Sequence, residues 1–394
     1  MCGNIIQAVE KVKPFLIIGL ASLVTTLLLW LPFILRLESF WGIRLPQNGM
    51  ATVVANFDGP YYIVAAKTLY DPSAIKHNFE FNLPPIYYSA HYPLFPLLIR
   101  GLITILPFLG YTYAMLSVTV IASILAACVF YLLLGEFGVK QRLWITILFL
   151  IFPARWFIVR SIGSPEPLFL LSVMASVYFA KKEKWSFAGI LGSLAQATKP
   201  PGILLFIAYI IALIAPHWQK LAHTSFSNWL AGLAWRAYPI LLIPLTLLTI
   251  YVFYGLRYGD FFAYFNSGDN IHLLFPPFRV FNPSQVWVGT FWLEDVIWIY
   301  LLVAVGFVYL IQQKRALFAS LVGIFFFSIF FVAHRDIARY SLPVVPFLFI
   351  AYEKVFSAKW FKWVVLLLIV PIYLSSLAFI ANNVTPISDW RPLL

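Results

Sequence analysis

Asn56-Phe57-Asp58-Gly59-Pro60-Tyr61-Tyr62 follows the first long apolar run and sets a carboxylate beside it, in a chain of 394 residues with only 15 acidic side chains. A carboxylate held next to a hydroxyl can act as a general base, a role worth about 10²–10⁴-fold when the group is well placed. The same polar stretch ends in His91-Tyr92-Pro93-Leu94-Phe95-Pro96. Further along, Arg155, Arg160, Lys199, Arg257, Arg279, Arg335 and Arg339 stand at the ends of apolar runs, with Glu166, Asp260 and Asp269 among them. Cations preorganised in a dry site stabilise a developing anion, and losing one such donor costs on the order of 10²–10³ in rate.

Each residue also has a plainer reading. Asp58 before Gly59-Pro60 can cap a helix that starts near Pro60. Glu166 can complement a helix dipole, and Lys199 before two prolines can snorkel from a helix end. His91 divides evenly between a hydrogen bond within its loop and contact with a phosphate. His334-Arg335-Asp336 can close an internal salt bridge. Tyr61, Tyr62, Tyr87, Tyr88 and Tyr92 can be an interfacial aromatic belt, although aromatic faces also suit sugar rings. No H-E-x-x-H, Walker loop, G-x-S-x-G or close His/Cys cluster occurs, so zinc, nucleotide and triad chemistry have no support. No cofactor is required. Scattered carboxylates leave room for a divalent metal, but none is predicted.

These residues must be positioned by membrane helices. The chain is 62% hydrophobic and 11% charged, with mean hydropathy +0.88, against about 45–50% apolar and 25% charged in soluble domains. Several apolar runs reach the roughly 20 residues that span a bilayer. The net charge of +12 suits anionic lipid or a phosphate-bearing substrate; with no long polar segment, nucleic acid is excluded as a partner. Two cysteines, Cys2 and Cys128, make no disulfide framework. Lys11 and Lys13 precede the run Pro14–Leu35, which reads as a retained signal anchor.

Lys/Arg placement sets the expected topology. Lys140 and Arg142; Lys181, Lys182 and Lys184; Lys220 and Arg236; Lys314 and Arg315; and Lys354, Lys359 and Lys362 fall in alternate loops, all cytoplasmic if Leu94–Leu109 does not cross. The expected fold is an all-α polytopic membrane protein, a single domain over residues 1–394 with about 11 transmembrane helices. A first external loop over residues 36–112 carries interfacial helices, and a second covers residues 255–295. Asp58, Glu166, Asp260, Asp269 and the second group of cations then share the non-cytoplasmic face.

Six segments carry a resemblance. Phe57-Asp58-Gly59-Pro60-Tyr61-Tyr62-Ile63-Val64-Ala65 is similar to W-D-G-x-x-Y-x-x-I-A, with Phe for Trp. His91-Tyr92-Pro93-Leu94-Phe95-Pro96-Leu97-Leu98-Ile99-Arg100 is similar to F-F-P-L-Y-P-x-L-x-R. Pro153-Ala154, with Pro165-Glu166-Pro167-Leu168-Phe169-Leu170, is similar to F-P-A…T-E-S-L-F-L, with prolines flanking the Glu. Thr198-Lys199-Pro200-Pro201-Gly202 is similar to T-R-P-x-G, with Lys for Arg. Tyr258-Gly259-Asp260-Phe261-Phe262-Ala263-Tyr264-Phe265, with Pro276-Pro277 downstream, resembles a G-D-P-x-A-F loop, and Arg339-Tyr340-Ser341-Leu342-Pro343 resembles R-Y-x-L-P. In this order the chain resembles the GT-C glycosyltransferase superfamily, and within it the GPI mannosyltransferase II-like membrane mannosyltransferases.

That resemblance implies a polyprenyl-phosphate-linked sugar donor, with mannose as the sugar, and an active site on the non-cytoplasmic side; the compact loops point to a prokaryotic plasma membrane. It makes Asp58 the catalytic candidate. Asp58 would act as base on an acceptor hydroxyl and invert the anomeric centre. His91, Arg155, Arg160, Glu166, Lys199, Asp260, Arg335 and Arg339 would bind donor or phosphate. A glycolipid, a cell-wall polymer or a protein would be the acceptor. The competing reading is a transporter or flippase of polyprenyl-linked glycans, which should show paired half-repeats with broken helices at the midplane; the polar residues instead gather at one face. A non-catalytic assembly subunit would have no reason to collect them.

Overall fold

A computed structural model describes residues 2–215, 235–268, 273–284 and 293–394; Lys220 and Asp269 lie outside the described residues. Apart from one short antiparallel ribbon, β1 (Ser39–Phe40) and β2 (Ile43–Arg44), the named elements are helices. In chain order they begin α1 (Cys2–Ile34), α2 (Met50–Val54), α3 (Gly59–Thr68), α4 (Pro72–Asn78), α5 (Leu94–Ile105), α6 (Gly110–Glu136), α7 (Arg142–Ile151), α8 (Ala154–Val159) and α9 (Glu166–Lys181). They continue α10 (Trp185–Thr198), α11 (Ile203–Ile214), α12 (Leu242–Tyr258), α13 (Glu294–Gln312), α14 (Ala316–Ile329), α15 (Ile337–Tyr340), α16 (Val345–Ala351), α17 (Glu353–Phe356) and α18 (Lys359–Asn382). The chain divides into two compact units, Met1–Met174 with Glu353–Leu394, and Ala175–Tyr352.

Among the described residues five helices are long and apolar enough to cross a membrane: Glu10–Ile34, Pro107–Glu136, Trp235–Tyr258, Glu294–Gln312 and Lys359–Asn382. The expected count of about 11 is therefore not reached by length. The difference lies in segments that hydropathy alone merges but backbone breaks shorten. Arg142–Ile151, Pro200–Ile214 and Ala316–Ile329 are apolar yet hold 10–17 residues each. A 10-residue helix such as α7 extends about 15 Å, against roughly 30 Å of hydrocarbon.

In the first unit α1 packs on α6 and α7 through a cluster of Ile18, Ala127, Tyr131 and Leu150. The opposite side of α1 exposes Leu16, Leu20, Leu27 and Leu31, as α18 exposes Leu366 and Leu367. Apolar faces of that extent are what lipid-facing helices present. A cis Phe152–Pro153 peptide separates α7 from α8. α8 packs on α18, and α3 packs on α5 and α6. In the second unit α10 lies along α12, α11 along α14 and α13 along α14. Val280, Leu293, Val296, Ile329, Val332 and Ile337 form a buried core cluster there.

Candidate functional site

Asp58 stands at the N-cap position of α3, with Pro60 in the first turn. Its backbone carbonyl accepts from the N–H groups of Tyr61 and Tyr62 at 2.9 and 3.1 Å. Its carboxylate makes no capping hydrogen bond to the helix, so the cap reading does not account for this side chain. The residue before it, Phe57, has φ 49°, in the left-handed region that costs an L-residue about 1–2 kcal/mol. Asp58 is half-buried. Burial, and secondarily the Asp58 charge, push the Tyr61 phenol upward, so Tyr61 stays a neutral hydroxyl beside the carboxylate.

Gly59 brings this turn against a second loop. A Cβ on Gly59 would lie 2.5 Å from the Val54 carbonyl oxygen and 3.3 Å from that of Gly163. The loop over residues 160–165 is itself fixed from several sides. Trp30 of α1 donates its indole N–H to the Ser161 carbonyl at 2.6 Å. The Ser164 N–H donates to Thr119 Oγ1 of α6 at 3.2 Å, and Ser164 Oγ donates to the Val159 carbonyl at 2.7 Å. Glu166, next in line, opens α9 and is only 3% exposed; its charge lies where the helix dipole favours an anion. The acid turn and the loop leading to Glu166 are thus in contact through two glycines.

On the other side of α3 the tyrosines form an aromatic nest around His91. The His91 ring lies 4.8 Å from Tyr62, 5.7 Å from Tyr87 and 5.8 Å from Tyr61, centroid to centroid. Its backbone carbonyl accepts from the Tyr70 hydroxyl at 2.6 Å. Tyr88 is fully buried there, its hydroxyl without a hydrogen-bond partner among the described residues; burial, then the neighbouring Tyr61, raise its pKa. Tyr61 and Tyr62 meet His91 edge to face, the geometry that aromatic quadrupoles favour, while Tyr87 is tilted against it.

Arg155 lies over the Phe379 ring, 3.8 Å from its centroid, and Phe379 in turn packs on Phe57 at 5.2 Å. One cation is therefore joined to the acid turn through two aromatic rings. The fit with a guanidinium face is the cation–π arrangement.

Arg160 requires a correction. It is fully buried and its guanidinium faces α1, not the acid turn. Nε donates to the Leu150 carbonyl at 2.6 Å, and the terminal nitrogens reach Thr26 Oγ1 at 3.0 Å, Ser22 Oγ at 3.3 Å and Thr25 Oγ1. With its donors engaged in this way, Arg160 is a strut between α1 and the end of α7 and leaves the set of phosphate ligands. Hydropathy could not separate it from Arg155, because both stand at the edge of the same apolar run.

The remaining candidates belong to the second unit. Lys199 is half-buried between α10 and the Pro200-Pro201 turn. Asp260 is engaged locally: one carboxylate oxygen accepts from the Phe262 N–H at 2.8 Å, the other from Asn266 Nδ2 at 2.7 Å. That is a loop-shaping role, and it accounts for Asp260 without a substrate. Asp336 caps α15, accepting from the Arg339 N–H, while its own N–H donates to His334 Nδ1 at 3.0 Å. Arg335 is exposed and Arg339 half-buried. Among the described residues no three His, Cys, Asp or Glu side chains gather closely enough to hold a metal ion.

Sequence reasoning missed Asn56, Phe379 and Thr385. Asn56 is fully buried and donates to the Ile380 carbonyl at 2.8 Å. Thr385 Oγ1 donates to the Phe57 carbonyl at 2.8 Å. The available signal was the amide pair Asn382-Asn383 directly after an apolar span, a polar break with no motif to draw notice.

No protein-family model matches the chain, and no curated protein matches it. Among solved structures it is similar to the archaeal oligosaccharyltransferase AglB from Archaeoglobus fulgidus in complex with an inhibitory peptide and a dolichol-phosphate. Identity is 16% and the TM-score 0.46, over 94% of this chain and 57% of that chain. The chain thus spans 57% of the length of that structure, and at this identity and score the likeness assigns neither family nor activity.

Proposed function

We propose that this chain is a GT-C-like integral membrane glycosyltransferase that moves a sugar, mannose by the motif resemblance, from a polyprenyl-phosphate carrier to an acceptor hydroxyl. The observation that carries this reading is Asp58. It is a half-buried carboxylate at a helix start that does not cap the helix, preceded by a strained residue. Strained backbone persists where the surrounding structure enforces it, and it gathers at functional sites.

Asp58 takes the proton of the acceptor hydroxyl as the oxygen attacks the anomeric carbon from the face opposite the phosphate. The glycosidic C–O bond breaks, its electrons leave with polyprenyl phosphate, and the anomeric centre inverts. Polyprenyl phosphate is a good leaving group and needs no general acid; it needs its charge stabilised. Arg155 is joined to the acid turn through Phe379 and Phe57. For Lys199, Arg335 and Arg339 of the second unit, a phosphate-binding role is implied by the motif resemblance alone, each to be tested by substitution. Glu166 and His91 orient the sugar from the loop and the aromatic nest beside Asp58. The reaction takes place at the non-cytoplasmic face of a prokaryotic plasma membrane. Some of the short helices, α5 among them, lie at the interface rather than across the bilayer.

The test is transfer of label from a radiolabelled polyprenyl-phosphate mannose to glycolipid, cell-wall or peptide acceptors by the purified chain in lipid. Asp58→Asn should lower the rate about 10²–10⁴-fold. Transfer at the unmodified rate would remove Asp58 from the chemistry, and label crossing vesicles with no product would favour the transporter.

A further inference from the structure

The segment after α18 returns over both ends of α3. At the near end, Val384 forms an antiparallel bridge with Asn56. The Thr385 N–H donates to the Ala55 carbonyl at 2.8 Å, and Thr385 Oγ1 donates to the Phe57 carbonyl, also at 2.8 Å. The buried Asn56 amide donates to the Ile380 carbonyl, and Phe379 packs on the Phe57 ring. At the far end, Lys67 Nζ donates to the Pro392 carbonyl at 2.7 Å. Two of these contacts, from Thr385 and Phe379, fall on Phe57, the one residue of this turn whose φ is left-handed.

A peptide unit is planar. Fixing the Phe57 carbonyl oxygen therefore fixes the plane that carries the Asp58 N–H and Cα, which leaves only the Asp58 φ and side-chain torsions to aim its carboxylate. Left unheld, a phenylalanine leaves the left-handed region for a more favourable one, and Asp58 turns with it. We propose that Phe379–Thr385 is a positioning strap for Asp58, with Thr385 and Asn56 as its positioning residues. The inference rests on the reading of Asp58 as the base.

Two measurements on the full chain in lipid test it. Hydrogen exchange over residues 55–62 should quicken about 2–10-fold in Thr385→Val, the share of one hydrogen bond, while α6 and α7 exchange as before. In the transfer assay Thr385→Val should lose about 10–10²-fold in kcat, as a small misplacement of a reacting group does, with donor KM within about twofold. Thr385→Ser, which keeps the hydroxyl, should recover both. An unchanged kcat in Thr385→Val, or a loss that Thr385→Ser does not recover, overturns the proposal. If Thr385→Val cannot be purified folded, Phe379→Leu, which removes the ring packed on Phe57, is read by the exchange criterion, and unchanged exchange over residues 55–62 overturns the proposal. Full transfer by Asp58→Asn would sink the reading of the base instead, and the exchange measurement would still report whether the strap holds the turn.

Discussion

Replacing Gly59 with alanine perturbs the acid turn by a single methyl group whose surroundings are known. The added Cβ would lie 2.5 Å from the Val54 carbonyl oxygen, about 0.9 Å inside the 3.4 Å at which ordinary contact begins, and 3.3 Å from both the Gly163 oxygen and Met115 Cε. The closest atom is backbone, so it cannot rotate aside as a side chain can. Overpacking of this kind costs about 1–3 kcal/mol, and alanine in place of glycine in a helix returns about 0.5–1 kcal/mol. The net destabilisation is then roughly 1–2 kcal/mol, small enough for the chain to stay folded. Relief of the clash must move the start of α3, and Asp58 is the residue that adjoins it. A displacement near 1 Å costs on the order of 10² in rate, so activity should fall much further than stability. Gly163→Ala is the comparison: its Cβ would meet Met115 Cε at 2.2 Å and Sδ at 2.6 Å, the far end of an adaptable side chain. Gly163→Ala should lose less than about tenfold, or 1.4 kcal/mol of barrier. Both variants are read by thermal unfolding in detergent and by transfer of labelled sugar. If folded Gly59→Ala keeps its unmodified kcat, or if Gly163→Ala is the worse of the two, the coupling of this contact to the acid is refuted.

Arg160→Ala should lower folded yield and thermal stability, by roughly 3 kcal/mol if two charge-assisted hydrogen bonds count at about 1.5 each, while the folded fraction keeps its donor KM; a raised KM at unchanged stability would return Arg160 to the phosphate ligands. Tyr88→Phe removes a fully buried hydroxyl that has no partner among the described residues. Thermal unfolding should show stability kept or raised by up to about 1–2 kcal/mol, since an unsatisfied buried hydroxyl carries that penalty; a loss of stability would mean that the hydroxyl is hydrogen-bonded in the folded protein. Gly189→Ala would place a Cβ 2.1 Å from the Pro239 carbonyl oxygen, and should cost about 3 kcal/mol, seen as poor folded yield; a well-folded variant would show that α10 is not seated that closely.

The helical, membrane-embedded class was legible from composition, because a run of apolar residues states its own solvent wherever it lies in the chain. So was the polar cluster from Asn56 to Pro96, whose aromatic rings and acid are close in sequence and stay close in space. Span number was less legible, since hydropathy does not register the turns that cut α7, α11 and α14 short. Arg155 and Arg160 looked alike for the same reason: each is a cation at the edge of one run, and only packing turned one toward Phe379 and the other toward the hydroxyls of α1, 134–138 positions away. The hold on the acid turn was invisible, because Asn56 and Ile380 are 324 positions apart and neither carries a motif. What a residue prefers as solvent is written locally. Which partner meets its hydrogen bonds is decided only when distant segments pack, as Asn56 meets Ile380 and Thr385 meets Phe57.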